Sequence, residues 1–372
     1  MIYLDHSATT PLAEEALNAM IPYFRTHYAN ASSRIYPSGR HVSRVLDMHM
    51  QALANILKVE KGELHITSGA TQSCNWALRG LWKNYSKSGK KKIMLSKIEH
   101  NAVLKTALYL EKEHGAELVW IPIKKSGIID IDFVYDNLNE EFLCIALMAA
   151  NNITGVKQPI KEVGEIAKEK NVFFFCDATQ IMASEEFLPN EVDADLVAAS
   201  AHKFYGPKGI GFLYVRRKMP RVNLPVWEHG GGDNKIAGTE NVAAIIGMVK
   251  ALEWCRKQDW HSVRNLRNKM EENFKDWGAI IIGEENQRIK NVSNIVLPKL
   301  NARALQQNLQ DYIAFSTASA CSSQSTKPSY VLEAMNLPEE YLLGSFRLSW
   351  GLTNTEEELN KCVTLFEEAI KS

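Results

Sequence analysis

The chain has 372 residues, enough for two domains, and its 45% hydrophobic and 23% charged residues are ordinary globular usage that excludes a disordered chain. Lysine plus arginine and aspartate plus glutamate number 43 each, so the basic excess typical of direct nucleic-acid binding is missing. No apolar run approaches the ~20 residues of a bilayer span and the N-terminus lacks a signal-peptide pattern, so we expect a cytoplasmic protein with no membrane segment.

The first two thirds of the chain alternate short apolar runs with helical patterns. An extended segment at 1–11 precedes helical patterns at 11–24 and 39–57. Strands are predicted at 64–67, 92–95, 118–123, 142–148, 172–176, 196–199 and 212–215, with helices beginning near 71, 101 and 159. This alternation indicates an α/β fold with a mainly parallel, seven-stranded sheet covered on both faces. The continuous apolar runs at 142–150 and 172–176 indicate fully buried strands.

The C-terminal third predicts a smaller α/β unit. Helical patterns occupy 242–257, 263–277, 302–309, 330–335 and 355–370, and strands are predicted at 280–282, 292–297, 313–315 and 346–350. The change of pattern places the boundary within the helical region 242–262. We therefore predict a large domain at 12–255 and a small domain formed by 1–11 and 256–372.

A lysine, Lys203, follows the buried run 196–199 in the stretch Ser200-Ala201-His202-Lys203. A lysine at the exit of a buried strand loses its proton easily and becomes an amine nucleophile. Schiff-base chemistry with a carbonyl cofactor requires such an amine. The alternative is an ordinary lysine at a strand end whose side chain reaches solvent.

Other polar residues follow the other predicted strands, where ligands of doubly wound sheets bind. The turn Ser68-Gly69-Ala70-Thr71 leads into a helix and could hold a phosphate, although helix capping alone would also explain it. The remaining candidates are His100, Asn152, Asp177 and Gln180. Together with Lys203 they match a phosphorylated pyridine aldehyde, because a carboxylate beside the pyridine nitrogen keeps that nitrogen protonated.

The six cysteines contain no CxxC pair, so neither a zinc ribbon nor an iron–sulfur ligand set is indicated. Cys144 and Cys176 lie in apolar runs and are predicted core residues, as expected in a reducing compartment. Cys321 differs, because the small and polar residues around it predict an exposed loop at about 316–327. A thiol there can ionise and reach a partner. The alternative is an incidental surface cysteine.

These motifs resemble those of the pyridoxal-phosphate-dependent cysteine desulfurases in the class V aminotransferase family. The resemblance covers essentially the whole chain. It is carried by YLDHSATTP (3–11), TSGATQS (67–73), EH (99–100), NN (151–152), DATQ (177–180), SAHK (200–203), YGPKG (205–209), AGT (237–239), SACSS (319–323) and SFRLS (345–349). It implies the pyridoxal-phosphate transferase fold of type I, a homodimer, and pyridoxal 5′-phosphate as the cofactor.

The resemblance also implies a role for each matching residue. Lys203 would form the Schiff base, Asp177 would pair with the ring nitrogen, and catalytic His100 would stack over the ring. The other implied contacts are Gln180 to the phenolic oxygen, Ala70, Thr71, Ser200 and His202 to the phosphate, Asn152 to cofactor and substrate, Arg347 to the substrate carboxylate, and Thr239 to the phosphate of the other subunit's cofactor.

In the family, the cysteine corresponding to Cys321 takes the sulfur of L-cysteine as a persulfide and L-alanine is released. The segment around Cys321 resembles the long-loop subgroup that serves iron–sulfur cluster assembly. The sulfur acceptor would be an iron–sulfur scaffold or a tRNA- or DNA-thiolating enzyme. The alternatives are a selenocysteine lyase, another class V enzyme, or a non-catalytic partner in a sulfur-transfer assembly.

Five positions depart from the family pattern. Ala149, Ile153 and Ile236 stand where a histidine, an acidic residue and an arginine are usual. Near the N-terminus, Ala31 and Tyr36 replace a proline and a histidine. Because the lysine, aspartate and cysteine are retained, we expect these changes to affect the rate and the physiological substrate more than the class of reaction.

Overall fold

The computed structural model describes residues 1–217, 238–317 and 329–371. Up to residue 217, its strands and helices are β1 (Ile2–Tyr3), α1 (Glu14–Arg25), α2 (Pro37–Leu57), β2 (Leu64–Thr67), α3 (Ala70–Tyr85), β3 (Lys92–Ser96), α4 (Asn101–His114), β4 (Glu117–Ile121), α5 (Ile131–Asn137), β5 (Phe142–Met148), α6 (Ile160–Glu169), β6 (Phe173–Asp177), β7 (Leu196–Ser200) and β8 (Gly211–Val215).

From residue 238 onward they are α7 (Val242–Cys255), α8 (Trp260–Asp276), β9 (Ile280–Ile281), β10 (Val292–Val296), α9 (Ala302–Leu309), β11 (Ile313–Ala314), β12 (Ser316–Thr317), α10 (Tyr330–Ala334), α11 (Glu339–Leu343), β13 (Ser345–Ser349) and α12 (Glu356–Lys371). Within the described parts of the chain, no helix is both long and apolar enough to cross a membrane.

The largest sheet has seven strands in the order β2-β8-β7-β6-β5-β3-β4. Strand β8 runs antiparallel to its neighbours β2 and β7, and the other pairs are parallel. The prediction of a mainly parallel, seven-stranded sheet is therefore confirmed. Because parallel strands end at the same edge, residues after β3, β5, β6 and β7 lie close together.

Strand β6 shows why its sequence is continuously apolar. Phe173 and Phe175 pack into a core with helices α3 and α4, whereas Phe174 and Cys176 face the opposite core. Successive side chains of a strand point to opposite faces, so a strand covered on both sides needs apolar residues at every position. All five residues of β6 are buried, including Asp177 at its carboxyl end.

Two smaller sheets are built from the C-terminal part of the chain and the first residues. Strands β12, β13, β10 and β9 form an antiparallel sheet, and β1 pairs in parallel with β11. Rings of Phe274, Phe315, Phe346 and Phe366 pack together between this sheet and helices α8 and α12. The pairing of β1 with β11 agrees with grouping 1–11 with the C-terminal part, and the domain division at residue 255 stays a prediction.

Some predicted element boundaries are wrong. Helix α1 begins at Glu14 rather than Pro11, because the N–H of Ala13 donates to the carbonyl of Tyr205 and keeps this segment extended. The predicted strand at 313–315 is shortened to β11, and Ser316–Thr317, predicted as the start of the loop, form β12 in a different sheet. Helices α5 and α11 were not predicted, since neither short segment carries a sustained apolar period.

Candidate active site

A cavity of about 600 Å³ opens at the carboxyl ends of the parallel strands. Ten residues predicted to form the site line it: Ala70, Thr71, His100, Asn152, Asp177, Gln180, Ser200, His202, Lys203 and Arg347. Nine of them follow or end strands of the large sheet, and Arg347 comes from β13 of the small one. The cavity therefore lies between the seven-stranded sheet and the four-stranded sheet that contains β13.

The turn between β2 and α3 forms one wall of the cavity. Gly69 has a φ of +141°, and a Cβ atom there would lie 3.2 Å from the hydroxyl of Ser200. Behind the turn, Thr67 and Ser73 share a hydrogen bond of 2.8 Å, and Ser73 also donates to the carbonyl of Phe212 at 3.0 Å. The turn is thus held rigidly, with the N-terminus of α3 and the Ser200 hydroxyl beside it. Such an arrangement favours an anion.

Asp177 ends β6 and is 6% exposed. Its Oδ1 accepts hydrogen bonds from the backbone N–H of Thr179, at 3.0 Å, and from the Thr179 hydroxyl. Its Oδ2 lies 4.0 Å from the thiol of buried Cys74. Thr179 and Cys74 therefore hold the Asp177 carboxylate, and its orientation is set before any ligand binds.

His100 borders the cavity at the N-terminus of α4. Its Nδ1 accepts a hydrogen bond of 3.1 Å from the backbone N–H of Ala102. Because a backbone N–H can only donate, the ring proton of neutral His100 lies on Nε2. Desolvation by burial, aided by the charge of Lys203 and opposed by Asp177, lowers the pKa of His100. The imidazole is therefore neutral at neutral pH.

Lys203 and Gln180 share an unexpected partner, the N-terminal segment. The ammonium of Lys203 donates to the carbonyls of Ser7 and Ala8, the latter at 2.8 Å. The amide of Gln180 donates to the same Ser7 carbonyl at 3.1 Å. Sequence reasoning assigned no role to Ser7 and Ala8, although both lie in the motif at 3–11. Their carbonyl oxygens hold the lysine inside the cavity.

The turn after Lys203 is strained and tightly tied to the N-terminal segment. Buried Tyr205 has a φ of +61°, which is unusual for a residue with a side chain. The hydroxyl of Thr10 accepts from the N–H of Tyr205 at 2.8 Å and donates to the carbonyl of His202 at 3.0 Å. Burial, then the charges of Lys203 and Lys208, lower the pKa of His202 to about 4. His202 is therefore also neutral at neutral pH.

Arg347 occupies the opposite wall and is 5% exposed. Its Nη2 donates to Asp5 Oδ1 at 2.6 Å and to the Ser316 hydroxyl at 3.1 Å. Its Nη1 donates to the backbone carbonyl of Asn152 at 2.8 Å. Asp5 was quoted within a motif but was not predicted as a site residue, and Ser316 was predicted only as part of a loop. Both contact the arginine directly.

Glu99 is another residue to which the sequence assigned no role. It is 1% exposed, and its Oε1 accepts from the Ser96 hydroxyl at 2.7 Å and from the N–H of Met148 at 3.1 Å. Burial raises the pKa of Glu99 to about 8. Its backbone carbonyl accepts a 2.8 Å hydrogen bond from the Tyr330 hydroxyl. Glu99 thus ties the turn carrying His100 to β5 and α10.

Two predicted residues remain, Thr239 and Cys321. Thr239 is exposed and lies just before α7, away from the cavity of its own chain. Cys321 lies outside the described residues, as does Ile236. The described chain before Cys321 ends at Thr317, which lines the cavity, and it resumes at Ser329, next to Tyr330.

The family model described as aminotransferase class-V matches residues 2–362. The chain belongs to the class V aminotransferase family. Cysteine desulfurase IscS from Clostridium botulinum is 35% identical over 380 residues, which cover 100% of this chain and 94% of that protein. Enzymes of this family that are similar to this chain use pyridoxal 5′-phosphate as their cofactor.

Solved structures agree with this assignment. A NifS-like protein has a TM-score of 0.92 and 30% identity, and the match covers 100% of this chain and 99% of that one. A structure described as SspA in complex with cysteine has a TM-score of 0.84 and 27% identity, covering 94% of this chain and 99% of that one. The fold is thus the pyridoxal-phosphate transferase fold of type I.

The cavity of this class V enzyme fits pyridoxal 5′-phosphate. The Gly69 turn leaves space for an anion where a Cβ atom would intrude on Ser200. Asp177 provides a fixed carboxylate, and the neutral ring of His100 provides a flat, uncharged neighbour. Among the described residues, the buried Oδ1 of Asn152 has no hydrogen-bond partner, so a ligand could supply one.

Proposed function

We propose that this chain is a cysteine desulfurase. In the proposed reaction, L-cysteine and the thiol of Cys321 give L-alanine and a persulfide on Cys321, and the sulfur then passes to an acceptor. The observation that carries the proposal is the convergence of Lys203, Asp177 and Arg347 on one cavity. The names of the relatives, and cysteine in the SspA complex, support L-cysteine as the substrate.

The cofactor, when bound, withdraws electrons from the bond between the substrate Cα and its hydrogen. Ala70, Thr71, Ser200 and His202 would hold its phosphate. Asp177 would keep the ring nitrogen protonated, because a carboxylate beside that nitrogen favours the charged form. Gln180 would donate to the phenolic oxygen, and His100 would lie against the ring.

Lys203 would hold the cofactor covalently and then act on the substrate. The free amine of Lys203 would take the proton from the substrate Cα and would return a proton when the product forms. The carbonyls of Ser7 and Ala8 would keep this amine in the cavity throughout. Arg347 would bind the substrate carboxylate through its guanidinium.

Cys321 would be the sulfur acceptor within the enzyme. Its thiolate attacks the substrate sulfur, the bond between that sulfur and the substrate Cβ breaks, and the electron pair stays with the alanine fragment. Cys321 follows Thr317 by four residues, and four residues of chain span at most about 14 Å. Because Thr317 lines the cavity, this length is compatible with the proposed attack.

The proposed enzyme works as a homodimer in the cytoplasm. Thr239, exposed and outside its own chain's cavity, would contact the phosphate of the cofactor in the other subunit. The five described cysteines are all buried free thiols, which supports a reducing compartment. We propose an iron–sulfur scaffold or a tRNA- or DNA-thiolating enzyme as the final sulfur acceptor, following the resemblance of segment 316–327.

The experiment measures alanine and sulfide released from L-cysteine by the purified, cofactor-loaded protein, with L-selenocysteine as the competing substrate. Cys321→Ser should retain the visible absorbance of the cofactor and lose the protein persulfide. Lys203→Ala should lose the absorbance of the covalently held cofactor. Full sulfur release by Cys321→Ser would reject the persulfide role. An unchanged spectrum in Lys203→Ala would instead support a non-catalytic partner.

A further inference from the structure

The guanidinium of Arg347 already donates hydrogen bonds from the nitrogen that a bidentate carboxylate would need. Arginine carries five N–H donors, and a carboxylate binds in a bidentate manner along the Nη1/Nη2 edge or the Nε/Nη2 edge. Nη2 belongs to both edges. In this protein Nη2 donates to Asp5 Oδ1 at 2.6 Å and to the Ser316 hydroxyl at 3.1 Å.

The other two nitrogens, Nη1 and Nε, do not share an edge of the guanidinium, so they cannot bind a carboxylate in a bidentate manner without Nη2. Nη1 donates one hydrogen to the carbonyl of Asn152 at 2.8 Å, and Nε is buried with no acceptor among the described residues. A carboxylate that makes a bidentate pair with Arg347 must therefore use Nη2, the nitrogen that already binds Asp5 and Ser316.

Asp5 is held in a position to compete. Its backbone carbonyl accepts from the N–H of Ala8 at 2.9 Å, and its backbone bridges Ser349 on the strand that carries Arg347. Its Oδ1 also accepts a 2.9 Å hydrogen bond from the Ser316 hydroxyl. The side chain is 20% exposed and lines the cavity, whereas the side chain of Arg347 is 6% exposed. Asp5 thus presents a carboxylate to Arg347 from within the site.

We propose that Asp5 is a built-in competitor that occupies Arg347 in the unliganded enzyme and lowers its affinity for the substrate carboxylate. The inference rests on the proposed role of Arg347 as the carboxylate-binding residue. A ligand binds with its intrinsic affinity only to the fraction of molecules whose arginine has released Asp5. Asp5 is therefore a determinant of substrate affinity, although it does not contact the reacting atoms.

The test compares two ligands that differ by a carboxylate, L-alanine and ethylamine, on the cofactor-loaded enzyme. Dissociation constants come from titrations that follow the visible absorbance of the bound cofactor. Asp5→Asn removes the charge and retains an oxygen that accepts from Arg347 and Ser316. We expect it to tighten L-alanine binding by about tenfold, a size common for coupled sites, and to leave ethylamine binding unchanged.

Two further variants test whether the effect comes from the contact between Asp5 and Arg347 or from the loss of a negative charge alone. Ser316→Ala removes one of the two contacts of Asp5 Oδ1, so it should tighten L-alanine binding in the same direction but by less. Asp132→Asn, an exposed carboxylate in the first turn of α5, removes an equal charge away from the cavity and should change neither constant.

Three outcomes overturn the inference. Weaker L-alanine binding in Asp5→Asn would mean that Asp5 positions Arg347 for the substrate. Unchanged binding, with circular dichroism confirming a folded variant, would mean that the Asp5 contact does not oppose the substrate. Equal tightening of both ligands would indicate a general electrostatic effect. If the wild-type enzyme itself shows no preference for L-alanine over ethylamine, then the proposed role of Arg347 fails as well.

Discussion

Individual residues in this protein owe their protonation states to burial. Desolvation keeps His100 and His202 neutral at neutral pH, and it raises the pKa of Glu99 into the physiological range. Glu99 contacts three parts of the chain, accepting hydrogen bonds from Ser96, from Met148 of β5 and, through its carbonyl, from Tyr330 of α10. Its protonation therefore matters for stability.

Glu99→Gln should flatten the dependence of stability on pH. The folded pKa of Glu99 is about 8 against an ordinary value of 4.5, so the stability that Glu99 contributes is fully present below about pH 4.5 and is lost as the pH rises towards 8. Glutamine cannot ionise and loses nothing over this range. Between pH 5.5 and 8, the difference in unfolding free energy should shift towards the variant by at most about 3 kcal/mol.

Urea unfolding at the two pH values measures this shift. Glu113→Gln, at an exposed position on α4, is the matched control and should follow the wild-type curve. If the unfolding free energy of Glu99→Gln changes with pH as much as that of the wild type, then Glu99 does not titrate in this range.

At the scale of elements, the β2–α3 turn depends on backbone geometry as much as on side chains. Gly69 combines a positive φ with the approach of Ser200, and the N–H of Ser73 donates to the Gly69 carbonyl at 3.1 Å. A side chain at this position would both strain the backbone and enter the space assigned to the phosphate.

Gly69→Ala should weaken binding of the cofactor by about tenfold or more, because its methyl group would meet the Ser200 hydroxyl 3.2 Å away. Gly89 also has a positive φ, +93°, but nothing lies within 4 Å of an added Cβ. Gly89→Ala should therefore cost about 1–2 kcal/mol of stability from backbone strain alone and leave cofactor affinity intact.

Titration of each cofactor-free protein with pyridoxal 5′-phosphate, followed by absorbance, gives the two affinities. Equal losses in both variants would show that backbone strain, and not the space beside Ser200, determines the effect.

At the scale of the whole molecule, buried charges tie helix α8 to the segment before β10. Arg288 forms a bidentate pair with Glu271, at 2.7 and 2.8 Å, and Arg267 lies 3.6 Å from the same carboxylate. The side chains of all three are 7–8% exposed. Removal of the Glu271 carboxylate leaves the buried charges of Arg288 and Arg267 without this anionic partner. An uncompensated buried charge strongly destabilises the folded protein.

Glu271→Gln should lower the free energy of unfolding by about 3–5 kcal/mol, measured by chemical denaturation. Glu367→Gln removes the partner of Lys371 in an exposed pair on α12 and should cost less than about 0.5 kcal/mol, because water screens that pair. A loss of similar size in both variants would contradict the assigned importance of burial.

The local pattern of the sequence was sufficient to predict most of the polar residues that line the cavity. Each residue after β3, β5, β6 and β7 could be placed at one edge of the sheet, because parallel strands bring their carboxyl ends together. His100, Asp177 and Lys203 were found in this way and lie in the cavity. Boundaries were less predictable, since the start of α1 depends on a hydrogen bond between Ala13 and Tyr205.

By itself, the sequence determined the α/β class, the mainly parallel sheet and most of the residues that line the cavity, because apolar periodicity and residue type are local properties. Only the tertiary structure decided which distant groups meet. Arg347 and Asp5 are 342 residues apart, and the Ser7 and Ala8 carbonyls meet Lys203 across nearly 200 residues, the separations being 196 and 195. The first contact follows from strand pairing between the two ends of the chain, and the second follows from the hydrogen bonds that tie Thr10 to His202 and Tyr205. No local pattern encodes either one.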